Sequence, residues 1–167
     1  MKLRHVRRSI LCLVVAALAL TQVPAAVAGN GAPKTSPGRR PVEVTFTKWI
    51  TDNSVLPYTM EGFVEGSVPG LFAGEVLDSR PTRNGRFSSL EAIYQVIADN
   101  PARSFTALIR GGRNNETNTA ILDGVIIGGW RTGAPVHVEF DVLTNCPGAP
   151  LGRCFRGTIE VDHGGAR

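Results

Sequence analysis

The stretch from Thr119 to Val142 constrains the fold more than any other part of the chain. Its first arm, 119–130, is rich in β-branched and apolar residues, and its second arm, 136–142, alternates between Val or Phe and charged residues. A short connection containing Gly133 and Pro135 joins the arms, as is typical of a β-hairpin. Successive side chains of a strand point to opposite faces, so the second arm has one face to bury. A hairpin alone cannot cover that face, and the chain must supply more strands.

Alternating or apolar segments at short intervals predict these additional strands. One of them, 89–97, also places apolar residues at helical spacing, but its Ile, Tyr and Val content favours a strand over a helix. The complete set predicted from the pattern is 42–49, 58–66, 71–78, 89–97, 104–110, 119–130, 136–142 and 154–161.

Eight strands joined by short loops leave two main architectures, an up-and-down barrel and a sandwich. Glycines inside strand patterns favour the barrel, because a sheet that closes on itself must bend sharply. These glycines are Gly62, Gly74, Gly124, Gly128 and Gly157. The prediction is therefore an all-β domain over residues 42–162, folded as an eight-stranded antiparallel up-and-down barrel.

The first 28 residues predict a secretory signal peptide, with a basic start, an apolar run and a small-residue cleavage site ending at Ala28. The apolar run is shorter than the about 20 residues that span a membrane, so we expect a secreted product without a stable membrane anchor. Residues 29–41 predict a disordered linker and 163–167 a frayed tail. The chain has 18 basic and 14 acidic residues, and the signal segment removes only basic ones. The neutral remainder gives no indication of a nucleic-acid partner.

Cys146 and Cys154 are the two cysteines that follow the signal segment, and an even pair in an exported chain predicts a disulfide. The alternatives, a metal site or a catalytic dithiol, call for C-x-x-C spacing or additional histidines. The sequence contains no phosphate loop, dinucleotide fingerprint, zinc signature or nucleophile elbow. We therefore expect no metal and no cofactor.

Four short segments resemble bacterial secreted proteins with an allene oxide cyclase-like barrel domain. They are Leu71-Phe-Ala-Gly-Glu-Val76, Leu90-Glu-Ala-Ile-Tyr94, Ser104-Phe-Thr-Ala107 and Asp123-Gly-Val125 through Gly129-Trp130. The resemblance spans roughly residues 42–161 and implies an eight-stranded barrel with a ligand-sized interior, related to dirigent proteins and lipocalins. The plant enzymes of this kind cyclise a fatty-acid epoxide in an apolar cavity. The first strand here, Glu43-Val-Thr-Phe46, does not reproduce their active-site strand, so the resemblance implies no catalytic residue.

Glu75, Glu91 and Asp123 share strand faces with apolar residues, which makes them candidates for catalysis. A carboxylate in an apolar row needs a partner, access to water or a raised pKa. Inside a lumen such a group would serve as a general acid or base. The competing interpretations place the three at barrel rims, beside an arginine such as Arg110, or on the outer wall.

Aromatic residues are the candidates for lining a ligand site, with barrel filling as the alternative. The ligand-binding candidates are Phe46, Tyr94, Phe105 and Trp130. The row His137, Glu139 and Asp141 suits a metal or acid–base cluster, yet the valines and phenylalanine between them favour a solvated outer row. Both faces of strand 119–130 are apolar, so we expect a homo-oligomer through the outer wall.

The sequence thus predicts a secreted barrel that binds a small apolar ligand or acts as an extracellular interaction module, without catalysis of its own. The alternative is an isomerase or cyclase acting on an apolar, fatty-acid-derived or phenolic substrate in the lumen. A lumen plugged by side chains would leave a structural barrel that acts through its outer surface.

Overall fold

The structure, a computed structural model, describes residues 40–163, so the predicted signal peptide, nearly all of the linker and residues 164–167 lie outside the described part. Within the described part, one short helix, the 3-10 turn Pro101–Arg103, lies between the fourth and fifth strands. The strands are β1 Val42–Asp52, β2 Tyr58–Gly66, β3 Gly70–Pro81, β4 Phe87–Ala98, β5 Phe105–Asn114, β6 Thr119–Gly129, β7 Pro135–Thr144 and β8 Arg153–Val161.

The eight strands form a closed antiparallel barrel in which each strand pairs with the next one along the chain. The first and last strands close it, with Val42 opposite Val161 and Lys48 opposite Phe155. The predicted architecture is therefore confirmed, and so is the strand rather than helix at 89–97. Among the described residues, no helix is long and apolar enough to cross a membrane.

Several strands extend beyond the predicted ends. The first continues past Trp49 to Asp52, and the fifth continues through Gly111 and Gly112 to Asn114. Gly111 and Gly112 follow the predicted end of this strand at residue 110, yet they pair with β4 and β6 as strand residues. Glycine does not by itself indicate a turn. At Gly111 the absence of a side chain lets the neighbouring strand approach closely.

Alternate residues of every strand point into the barrel and form one apolar core. In β1 the inward series is Val44, Phe46, Lys48 and Ile50, the first three of which are at most 2% exposed. Toward the start of β1 the interior is filled by residues such as Val44, Val64, Val136 and Val161. That half of the barrel is a packed core, and the half toward Ile50 contains the cavity described below.

Gly157 illustrates how glycine permits closure. A Cβ atom there would contact the Glu139 carbonyl and lie 2.6 Å from the Phe140 Cβ atom, so β7 and β8 approach closely only because no side chain is present. Gly62, Gly74 and Gly124 also lie against neighbouring backbone, whereas Gly128 has open space around it. Close approach of a neighbouring strand thus explains glycine at four of the five positions and does not explain it at Gly128.

The described ends of the domain meet through His163. Its Nδ1 atom lies 2.8 Å from an Arg131 guanidinium nitrogen, and its Nε2 atom lies 2.8 Å from the Arg40 carbonyl oxygen. These bonds suit a ring that carries its proton on Nε2, since Arg131 donates to Nδ1. Residue 163, predicted as the start of a frayed tail, is tied to the barrel.

The outer face of β6 is apolar, as predicted. Ile121, Val125 and Ile127 are 53%, 39% and 49% exposed, whereas Leu122 and Ile126 on the same strand are buried. The subunit contact expected on this wall stays a prediction.

Candidate ligand site in the barrel lumen

A cavity of about 180 Å³ occupies the half of the lumen toward Ile50. All eight strands contribute inward-facing side chains to its walls. Closure of the barrel is therefore what brings these side chains together. The apolar lining is Ile50, Met60, Val76, Leu90, Ala92, Leu122, Phe140 and Phe155, and the polar groups are Lys48, Tyr58, Ser79, Tyr94 and Arg113. Mostly apolar walls with a few polar groups are typical of small-molecule sites.

The lumen cavity opens toward one end of the barrel. A second cavity of about 360 Å³, here called the mouth, lies where β1, β5 and β7 finish and β8 begins. Ile50, Arg113 and Phe155 line both cavities, so the two meet at these side chains. The route from the surface toward the lumen runs past them.

Lys48 lies at the inner end of this route and is 2% exposed. Five aromatic rings surround its ammonium nitrogen Nζ, which lies 3.5 Å from the centroid of the Tyr94 ring. The other distances are 4.8 Å to Phe140, 5.0 Å to Phe46, 5.2 Å to Phe72 and 5.8 Å to Phe155. Among the described hydrogen bonds and ion pairs, none involves this amine.

Burial lowers the pKa of Lys48 well below its usual value, because the charged form loses its water and gains no carboxylate. The aromatic faces act in the opposite direction, since each favours a cation by about 0.5–2 kcal/mol. Burial and the rings therefore act on the protonation of Lys48 in opposite directions, and burial is the cause of the lowered pKa.

The mouth is lined by two arginines without carboxylate partners among the described ion pairs. Arg113 is half-buried, its Nε atom is enclosed without a hydrogen-bond partner, and burial followed by the nearby Arg153 charge lowers its pKa. Arg153 lines the same cavity. An enclosed guanidinium without an acceptor and a second cation beside it favour a polar or anionic group at this position.

The four predicted ligand-binding aromatics divide between the two halves of the barrel. Tyr94 lines the lumen cavity, and Phe46 packs against the Lys48 amine below it. Phe105 and Trp130 lie at the opposite, filled end, where their ring centroids are 6.4 Å apart. Trp130 also stacks with Arg131, at 4.3 Å from guanidinium carbon to ring centroid. Phe105 and Trp130 therefore fill and cap the core and do not reach the cavity.

The three candidate catalytic carboxylates lie on the outer wall. Glu75 and Asp123 are exposed, and Glu91 accepts a 2.9 Å hydrogen bond from Arg110 across the β4–β5 pair. That bond lowers the pKa of Glu91, the opposite of what a general acid needs. None of the three lines the lumen cavity, so the lumen role considered for them is corrected here: the apolar neighbours on their faces belong to the outside of the barrel.

His137, Glu139 and Asp141 form the outer row favoured by the alternation of β7. His137 Nδ1 lies 2.7 Å from Asp123 Oδ1 and its Nε2 lies 3.1 Å from Glu139 Oε1. The hydrogen bond with Asp123, and then that with Glu139, raises the pKa of His137. Within residues 40–163, no group of three or more His, Cys, Asp or Glu side chains is arranged to hold a metal ion.

The predicted disulfide joins Cys146 and Cys154, whose Cα atoms are 5.9 Å apart. It closes the loop that leads into β8, and Leu151 and Arg153 of this loop region line the mouth. The bridge thus fixes one side of the opening.

Comparisons with known proteins leave the chain without an assigned relative, since no family model, no curated protein and no solved structure matches it.

Proposed function

We propose that this chain is a secreted barrel that binds one small, mainly apolar molecule in its lumen, with the polar end of that molecule toward the mouth. The observation that carries the proposal is the lumen cavity: it adjoins the mouth and is lined by eight apolar side chains and a few polar groups. The disulfide supports the exported part of the proposal, because such bonds persist in oxidising compartments.

The size of the cavity limits the ligand. About 180 Å³ corresponds to the volume of about six water molecules in the liquid. Drug-sized ligands occupy pockets of about 300 Å³ or more, so we propose a compact molecule of about ten non-hydrogen atoms whose polar end extends into the mouth. At about 0.5 kcal/mol per atom, the expected Kd is on the order of 0.1–1 mM.

The resemblance to allene oxide cyclase-like barrels and the isomerase alternative stay predictions. The lumen holds an amine and a guanidinium, and the described carboxylates considered for catalysis lie outside it. Binding without catalysis is therefore the better-supported proposal. The barrel interior supports it for a further reason: eight strands leave room for side chains or one small ligand.

Calorimetric titration with hydrocinnamyl alcohol tests the proposal, because this alcohol has ten non-hydrogen atoms and cannot react with an amine. We expect binding with a stoichiometry of one. Ala92→Leu places a larger side chain on the lumen wall and should weaken binding about tenfold or more, whereas Ala73→Leu on the outer face of β3 should not. Absence of binding to the parent protein, or equal effects of the two substitutions, would refute a lumen site.

A further inference from the structure

We infer that Lys48 is a reactive amine, and that the lumen captures a small aldehyde by forming an imine with its Nζ atom. The inference rests on the proposed function, since the aldehyde must first occupy the lumen cavity. Lys48 borders that cavity at the end of the route from the mouth. A carbonyl group at the inner end of an apolar molecule would meet the amine there, so the aldehyde lies in the opposite orientation to a ligand whose polar end faces the mouth.

The surroundings of Lys48 favour a nucleophile over a structural cation. Only the neutral form of an amine attacks a carbonyl carbon, and lysines in apolar pockets are activated in this way. A structural ammonium normally has carboxylates, carbonyls or water around it, whereas the Lys48 amine is 2% exposed, borders the cavity and has no partner among the described hydrogen bonds and ion pairs. Burial of this amine lowers its pKa, as required.

The distribution of basic residues supports the same conclusion. Lys48 is the one lysine in residues 40–163, and the permanently charged basic side chains there are all arginines. A guanidinium cannot lose its proton in a protein, but an amine can. The residue that can become neutral is therefore the one enclosed beside the cavity, and the arginines lie at the mouth or on the surface.

The chemistry balances without an oxidant, a reductant or a second substrate. The nitrogen lone pair adds to the carbonyl carbon, and a proton moves from nitrogen to the carbonyl oxygen to give a carbinolamine. Loss of that oxygen as water forms the C=N bond, so amine and aldehyde become imine and water. Tyr58 and Ser79 present hydroxyl groups to the same cavity for the proton transfers, and the water leaves through the mouth.

The aromatic rings also select against the competing ligand, an anion paired with Lys48. The faces of aromatic rings carry partial negative charge, which disfavours a carboxylate among them and favours a cation. The protonated imine is such a cation, as is the protonated amine, so the rings act against a bound anion and do not separate these two states. The deep end of the lumen thus suits an aldehyde, and an acidic group suits the arginines at the mouth.

Reductive trapping tests the inference on the folded full chain. The protein is treated with hydrocinnamaldehyde and sodium cyanoborohydride near neutral pH, and the modified peptide is located by mass spectrometry. A trapped imine adds the mass of the aldehyde less one oxygen atom. We expect Lys48 to be modified about tenfold or more faster than Lys34, because each unit of lowered pKa raises the neutral fraction about tenfold. Excess hydrocinnamyl alcohol should protect Lys48 and leave the Lys34 rate unchanged.

The controls separate this inference from the proposed function. Unfolding the protein in urea should make the two lysines react alike, and Lys48→Met should lose the adduct. If the alcohol binds but the adduct forms only at Lys34 or the α-amine, the imine is refuted and the binding proposal stands. If the alcohol does not bind, both are refuted. Protection by the alcohol is measured on the unsubstituted chain, so the test does not depend on the folding of the variant.

Discussion

The Nζ atom of Lys48 lies 3.5 Å from the centroid of the Tyr94 ring. This contact places a buried amine, 2% exposed, against an aromatic face and beside the lumen cavity. The stability of the barrel, the pH dependence of that stability and the proposed chemistry all depend on the protonation state of this buried amine.

Lys48→Met should raise the free energy of unfolding by about 1–3 kcal/mol near neutral pH, because methionine fills a similar volume without a buried, unpartnered polar group. The pKa of Lys48 is lower in the folded than in the unfolded state, where it takes its ordinary value near 10.5. Between these two values the unfolded state binds more protons, so the stability of the parent protein rises with pH across that window.

The advantage of the Lys48→Met variant should therefore shrink as pH approaches 10.5. Urea unfolding of both proteins at a series of pH values measures the difference. Lys34→Arg, which changes a lysine outside the described residues, is the control and should show no such trend. A constant difference between parent and variant across the alkaline range would contradict a lowered pKa.

Gly157→Ala should destabilise the barrel by about 1–3 kcal/mol, because the new methyl group meets the Glu139 carbonyl and the Phe140 side chain. Gly128→Ala is the matched control, since nothing lies within 4 Å of its Cβ position. Thermal unfolding of the two variants should show a clear loss for the first and a change within about 0.5 kcal/mol for the second. Equal losses would mean that backbone freedom, rather than close strand approach, explains these glycines.

Strand alternation predicted the barrel well, because half-buried strands such as β7 reveal which residues are inside. The alternation did not show which way the carboxylates of β3 and β6 point, because both strands are apolar on both faces. Such a pattern does not distinguish the inner face of the barrel from the outer one. Asp123, for example, shares its face with Ile121 and Val125, and both are exposed.

Lys48 was missed although a signal for it exists. Val44, Phe46, Lys48 and Ile50 follow one another at two-residue spacing, so the alternation places the lysine in the buried row of the predicted strand 42–49. Arg113 was missed because it lies beyond the predicted end of the fifth strand at residue 110. Strand ends are set by pairing with distant strands, which local sequence does not encode.

Asp123→Asn should lower the pKa of His137 toward its ordinary value, because the hydrogen bond with Asp123 is the largest cause of the upward shift. Protonation of His137 in the folded state stabilises the parent at low pH, and this gain is lost as pH rises through the raised pKa. The side chains are well exposed, at 38% for His137 and 76% for Asp123, so the stability effect stays below about 0.5 kcal/mol.

NMR titration of the His137 ring protons measures this pKa directly. Asp141→Asn is the control, because Asp141 lies on the same outer row but is not a hydrogen-bond partner of His137. Added salt should reduce the shift in the parent protein. An identical His137 pKa in the parent and in Asp123→Asn would remove the assigned cause.

The arginines at the mouth should make the barrel prefer an acid over the matching alcohol. Hydrocinnamate and hydrocinnamyl alcohol share the same apolar body, and only the acid gives Arg113 and Arg153 a carboxylate to bind. We expect the acid to bind about three- to tenfold more tightly at low ionic strength, and this preference to fade as salt screens the charges. Titration calorimetry at several salt concentrations measures both affinities.

Arg113→Gln should remove most of this preference by weakening the acid more than the alcohol, because the eight apolar side chains of the lumen wall are kept. Arg156→Gln on the outer face of β8 is the control and should keep the preference. Arg113 has an enclosed Nε atom without a partner, so losing its charge also relieves a desolvation cost and the variant should fold. If the acid binds no better than the alcohol, or if both variants behave alike, the mouth arginines do not contact the ligand and its polar end must point elsewhere.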